Sequence, residues 1–189
     1  MKLLARLALF LALGASALWA QAPAATPAPP KKNWTPPAYK MFVQTLSEQI
    51  MAAHPELISV TFHGVPPGLK DVYTMFGGSY LDRIGNPDDP DDIMISKDGI
   101  TIIDPRWHRP NDPIKKFVMM VPLREASGEN CGLLVLAYHH EANDDRTELE
   151  FYASSYAIRD ALQKKIPGYA ALYAPAKLTY TYDPPPHHR

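Results

Sequence analysis

Residues 115–140 read KKFVMMVPLREASGENCGLLVLAYHH, two apolar runs at 117–123 and 131–138 around a polar stretch at 126–130. Val- and Leu-rich runs on either side of a Ser-Gly turn predict an antiparallel β-hairpin. Successive side chains of a strand point to opposite faces. Phe117, Met119, Val121 and Leu123 therefore share one face, and Val118, Met120 and Pro122 the other. In the second strand Leu133, Val135 and Ala137 alternate with Leu134, Leu136 and Tyr138. Both faces are apolar, which predicts the centre of a sheet covered on both sides.

The same pattern organises the flanks. Tyr39, Phe42, Val43, Leu46, Ile50 and Ala53 fall at helical spacing and predict an amphipathic helix over 38–54, ended by Pro55. Ile58, Val60 and Phe62 alternate with Ser59, Thr61 and His63, so 57–63 reads as a strand with one face on the core. A second strand is expected over 71–76, followed by a close approach or tight turn at Gly77-Gly78-Ser79. Two short helical turns, near 80–84 and 91–96, lead to a third strand at 99–104. Thr147 and Glu150 form a capping box opening a helix whose Phe151, Ile158 and Leu162 share a face, with Pro167-Gly168 as its stop.

Composition adds compartment and partners. Lys2 and Arg6, an apolar run over 7–19 and small residues at 17, 20 and 22 predict a secretory signal peptide over 1–22. The run is shorter than the ~20 residues of a membrane helix, so no stable span is expected after cleavage. A Pro/Ala-rich linker is expected at 23–37, the folded domain at 38–175 and a polar tail at 176–189. The chain carries 19 basic and 20 acidic residues, and without Lys2 and Arg6 the balance is about −3. That charge excludes nucleic acid as an expected partner. Cys131 is the only cysteine, so no internal disulfide forms and a packed, inert thiol is expected.

No enzyme motif is complete in the sequence. His140-Glu141-Ala142-Asn143-Asp144 lacks the second His of the zinc-protease motif and follows a strand. No Gly-x-Ser-x-Gly elbow and no phosphate-binding Walker loop occur. The acidic group Asp88, Asp89, Asp91 and Asp92 fails the spacing of a calcium loop, and reads as helix-capping and turn-forming carboxylates. A metal site pairing His139 or His140 with His63 or His108 is left open, since single histidines carry no ligand spacing. No cofactor, no metal and no catalytic residue are expected.

The element order is helix, two strands, a helical connection, three strands, helix. With LDRIGNPDDPDDI, then Asp98-Gly99 ahead of a strand, then VPLREASGENCGLLVLAY, the sequence resembles the extracytoplasmic PAS-like sensor domains known as single Cache domains. The likeness runs from about residue 39 to residue 175, and Arg83-Ile84-Gly85, Asp91-Asp92, Pro122-Leu123, Ser127-Gly128 and Gly132 carry it. It implies an α+β fold, a five-stranded antiparallel sheet with a long N-terminal helix on one face and a ligand cavity on the other. It further implies binding of organic acids, amino acids or amines, and a homodimer through the N-terminal helix, the alternative being that the apolar stripe of that helix is fully used on its own sheet. Family members usually lie between membrane helices and drive a kinase or chemoreceptor output, whereas this sequence ends soon after the sensor part.

The pocket expectation comes from covered faces. Two long helices shield one face of the sheet, so the connections 77–97 and 105–113 must cover the other, less uniformly. Tyr73, Ser79, Arg106, His108 and Tyr138 are the polar candidates to line the resulting cavity, with Trp107 as an apolar wall. Arg106 would favour a carboxylate, the alternative being that Arg106 or Arg109 pairs with surface Asp residues. The expected function is a stand-alone exported domain binding a small molecule for sensing. The alternative is a structural or partner-binding domain without ligand, and behind it a metal-dependent enzyme.

Overall fold

The computed structural model describes residues 30–105, 114–141 and 143–176 of the 189-residue chain. The signal segment, residues 23–29 of the linker, the loop candidates Arg106, Trp107 and His108, and the tail from 177 onward lie outside them.

Five strands, β1 Leu57–Gly64, β2 Thr74–Gly78, β3 Ile102–Asp104, β4 Lys116–Arg124 and β5 Asn130–His139, form one antiparallel sheet in the order β2-β1-β5-β4-β3. The apolar hairpin is β4 and β5, paired from Lys116↔His139 to Arg124↔Asn130. β5 is the middle strand of the sheet. The architecture is α+β, as expected.

Helix α1, Phe42–Ala53, is shorter at its start than the apolar spacing predicts. Met41 is extended and bridges Pro175, while Phe42 N–H donates to Ala174 O at 2.8 Å. Pairing with the far end of the domain thus takes residues 38–41 out of the helix. Val43, Leu46 and Ile50 are fully buried against the sheet, which leaves Glu48 and Ala52 exposed on the outer side. Phe42, Met51 and Ala53 of the same helix are partly buried, and Tyr39 ahead of it is exposed. Helix α3, Glu148–Gln163, opens on the expected box: Thr147 N–H donates to Glu150 Oε2 at 2.7 Å, and Glu150 N–H donates to Thr147 Oγ1 at 3.3 Å.

α1, α3 and a 3₁₀ turn over Tyr169–Tyr173 bury one sheet face. Val60, Phe62, Phe76, Met119, Val121, Leu134, Leu136 and Tyr138 lie there, with Phe151, Ile158 and Leu162 from α3. Phe117 stacks on Phe151 at 3.9 Å between ring centres. A shorter helix, α2 Pro90–Asp98, lies over the other face and drives Ile95 among Val118, Met120, Leu133 and Ala137. Among the described residues no helix is long and apolar enough to cross a membrane.

Three expectations change. β2 starts at Thr74 and runs through Gly77 and Gly78. Gly77 lies beneath α1, where an added Cβ would meet Val43 at 2.7 Å, so the glycines serve helix–strand approach inside a strand instead of a turn after it. On β1 the pairing with β5 slips between Leu57 and Ser59, and Ile58 packs on the α2 face instead of joining Val60 and Phe62. The linker folds onto the domain at its end: Asn33 N–H donates to Gly85 O at 2.9 Å, and Trp34 meets Tyr173 edge-on at 5.9 Å.

Candidate functional site

Loops and one short helix cover the α2 face, and a cavity of about 150 Å³ remains between them and the sheet. Its floor alternates through three paired strands: Ser59, Thr61 and His63 of β1, Val135 and Ala137 of β5, Val118 and Met120 of β4. Met75, Asn86 and Pro87 close one side, and Arg83, Lys116, Asp89, Asp91 and Asp92 bring charge to its walls. Polar side chains on β1 oppose apolar ones on β4 and β5, so the cavity has one wet wall and one greasy wall.

His63 is the centre of the polar wall. Gly132 brings β5 against its backbone: φ there is +149°, and a Cβ would lie 2.3 Å from His63 O. The segment after the 3₁₀ turn Leu81–Arg83 runs along β2, with Gly85 N–H donating to Met75 O at 2.8 Å, Met75 N–H to Asn86 O at 3.1 Å and Asp88 N–H to Tyr73 O at 3.2 Å. That pairing delivers Asp88 to His63. α2 then starts at Pro90 with Asp92 in its first turn, held where its Oδ2 accepts Asp89 N–H at 3.3 Å. At the far end of α2, Asn130 Nδ2 donates to Ser96 O at 2.8 Å.

The result is a chain of close polar atoms. His63 Nδ1 lies 2.7 Å from Asp88 Oδ1 and 3.8 Å from Asp92 Oδ2, and His63 Nε2 lies 2.8 Å from Thr61 Oγ1. The side chains of His63, Asp88 and Asp92 are 11%, 0% and 15% exposed. Burial alone would lower the His63 pKa, yet it is raised, because the Asp88 charge and hydrogen bond, with Asp92 and Asp89, outweigh the desolvation. Burial pushes the Asp92 carboxyl up to about 6, with Asp88 adding to the rise and His63 opposing it. In the imidazolium form Nδ1–H donates to Asp88 and Nε2–H to Thr61.

Of the sequence-predicted site residues, Tyr138 belongs to the opposite face. It is fully buried under α3 with its hydroxyl 2.9 Å from Ser155 Oγ, because its position on β5 shares parity with Leu134 and Leu136. Ser79 caps β2, 3.2 Å from Val60 N and 3.3 Å from Val60 O, and Tyr73 lies under Lys97, whose Nζ is 5.1 Å from the ring centre. None of these three lines the cavity. Arg106, Trp107 and His108 lie outside the described residues. Cys131 fits the expected inert thiol, since burial pushes its pKa up to about 12. Sequence reasoning missed the meeting of His63 with Asp88 and Asp92. The available signal was the parity placing Thr61 and His63 on the face that the acidic connection crosses.

No protein-family model matches the chain, and no curated protein matches it. Solved structures overlap it in part. The sensor domain of DcuS from E. coli is similar at 14% identity and a TM-score of 0.37, covering 51% of this chain, which spans 65% of that domain. The GAF domain of a two-component sensor histidine kinase from Bacillus halodurans is similar at 11% identity and a TM-score of 0.44, covering 67% of this chain and 95% of that one. A type II free methionine-R-sulfoxide reductase from Thermoplasma acidophilum is similar at 13% identity and a TM-score of 0.42, covering 69% of this chain and 87% of that one.

Proposed function

We propose that this chain is an exported, single Cache-like domain that binds a small organic acid for extracytoplasmic sensing. The observation that supports it is the cavity on the α2 face, polar on β1 and apolar on β5 and on β4 beyond Lys116, with Arg83 and Lys116 on its walls alongside Asp89, Asp91 and Asp92. A cavity of about 150 Å³ is small. Cavities of roughly that size take one benzene-sized molecule, and drug-like pockets begin near ~300 Å³. The ligand is therefore an acid of a few carbons, its carboxylate toward the cations and its chain against Val118, Met120 and Val135. Export rests on the order of charged, apolar and small residues in the first 22 positions.

The test is a thermal-shift screen of the purified protein against C2 to C6 mono- and dicarboxylates. A true ligand at a hundred times its dissociation constant adds ~2.7 kcal/mol of stability. Ala137→Leu, which fills the cavity from its floor, should abolish the shift while the variant stays folded. A full shift in that variant, or no shift from any acid, would remove the reading.

A further inference from the structure

We infer that His63, Asp88 and Asp92 form a binding site for a divalent first-row transition ion such as Zn²⁺, on the β1 side of the cavity. The three residues come from β1, the segment paired to β2, and α2, and each offers a ligand atom within 4.8 Å of the others. One imidazole nitrogen with two carboxylate oxygens is a borderline donor set, suited to Zn²⁺ and its neighbours and poor for Ca²⁺ or Mg²⁺, which prefer all-oxygen shells.

A second observation points the same way. The Asp88 side chain is wholly buried, and while its Oδ1 meets His63, its Oδ2 has no hydrogen-bond partner. An unpaired buried carboxylate oxygen is costly, and a cation bound to that carboxylate relieves it. Thr61 supplies the supporting contact. With Nε2–H donating to Thr61 Oγ1 at 2.8 Å, the imidazole turns Nδ1 toward the two carboxylates, the orientation that metal-ligating histidines obtain from an outer hydrogen bond.

The geometry needs little change. Zn–N and Zn–O bonds of ~2.0–2.1 Å at tetrahedral angles separate ligand atoms by roughly 3.3 Å. The 2.7 Å gap from His63 Nδ1 to Asp88 opens slightly and the 3.8 Å gap to Asp92 closes slightly. The ion replaces the proton that Nδ1 shares with Asp88, and that proton leaves to solvent. His63 and Asp92 line the cavity, so the fourth coordination position opens into it.

Chelator-stripped protein titrated calorimetrically with ZnCl₂ should show one site per chain. Asp88→Asn, which keeps the shape of the side chain, should weaken binding at least tenfold, and Asp92→Asn should do the same at a less buried position. Thr61→Val should weaken it about tenfold, the effect expected of an outer hydrogen bond. Neither CaCl₂ nor MgCl₂ at tenfold excess should compete. No heat from zinc, unchanged affinity in both Asp variants, or equal competition by calcium would each overturn the assignment. An equal loss in Asp91→Asn would also overturn it, by moving the ion to the exposed Asp89–Asp91–Asp92 group. The ion site does not depend on the organic-acid reading, and zinc binding would stand if every carboxylate failed.

Discussion

The two faces of the sheet are made from the same strands and come out opposite in character. On the α1/α3 face, Val60, Leu134, Leu136, Met119 and Val121 are fully buried beneath two helices, and aromatic rings fill the remaining space. On the α2 face, four buried residues gather around Ile95, and next to them the sheet faces a hole and a buried ionic group. The cover explains the difference. Helices of 12 and 16 residues present continuous apolar stripes that interlock with a strand surface, whereas a 9-residue helix and turns bring backbone polar groups and acidic caps over it. A filled face supplies stability, and an imperfectly covered one leaves a cavity.

The largest effect expected from this contrast is in stability. Leu136 and Val135 are neighbours on β5 pointing to opposite faces. Leu136→Ala should cost about 2–5 kcal/mol, because Leu136 is fully buried in the packed core between Val60 of β1 and Met119 of β4, and the cavity it leaves cannot easily collapse. Val135→Ala borders space that already exists and should cost less than about 1.5 kcal/mol. Urea unfolding of the two variants measures both. Equal costs would mean that the faces are packed alike and that the contrast is one of shape only.

The central hairpin was legible because its signal is local and doubled: both parities of β4 and β5 are apolar, so no register hides the burial. α3 was legible because Thr147 and Glu150 mark its first turn explicitly. β2 was misplaced because Gly77-Gly78 has the same appearance in a turn and under a helix, and only the position of Val43 separates the two. The slip at Ile58 leaves no mark in a run of alternating residues. His63 with Asp88 and Asp92 is a meeting across 25 and 29 positions, and each carboxylate also suits a turn or a cap, so composition favoured the nearer explanation. Residue type alone points Tyr138 toward the pocket, whereas its parity with Leu134 and Leu136 places it with the core.

Tyr138 offers the next, smaller test. Its hydroxyl reaches Ser155 Oγ at 2.9 Å, and Ser155 is fully buried. Tyr138→Phe removes one partner and strands the other, a loss of about 1–3 kcal/mol. Because the pair lies on the filled face, the thermal shift given by any cavity ligand should be unchanged on top of the lowered baseline. A variant as stable as the parent but impaired in ligand binding would return Tyr138 to the site.

The smallest effect is expected at the rim of the filled face, where an ion pair is exposed on one side. Asp144 receives Arg146 Nε at 2.9 Å and Nη2 at 2.6 Å, while the guanidinium lies 4.4 Å from the Phe151 ring centre and donates to His139 O. The Arg146 hydrogen bonds hold the Asp144 carboxyl well below the usual carboxylate range, against a smaller opposing effect of burial. A lowered folded pKa gives stability that is present above the unfolded pKa, near 3.9, and is lost as pH falls through the folded value. At neutral pH Asp144→Asn should therefore lower the melting temperature slightly, by less than about 1 kcal/mol of stability, since a pair one-third exposed at Arg146 is screened by solvent. The gap between variant and parent should narrow as pH is taken below 3.9, because the parent then loses the same interaction. Melting curves from pH 7 down to pH 2 follow it. A gap that stays constant over that range would mean that Asp144 serves as a turn residue, through its 3.1 Å acceptance of Arg146 N–H, with no contribution from its charge.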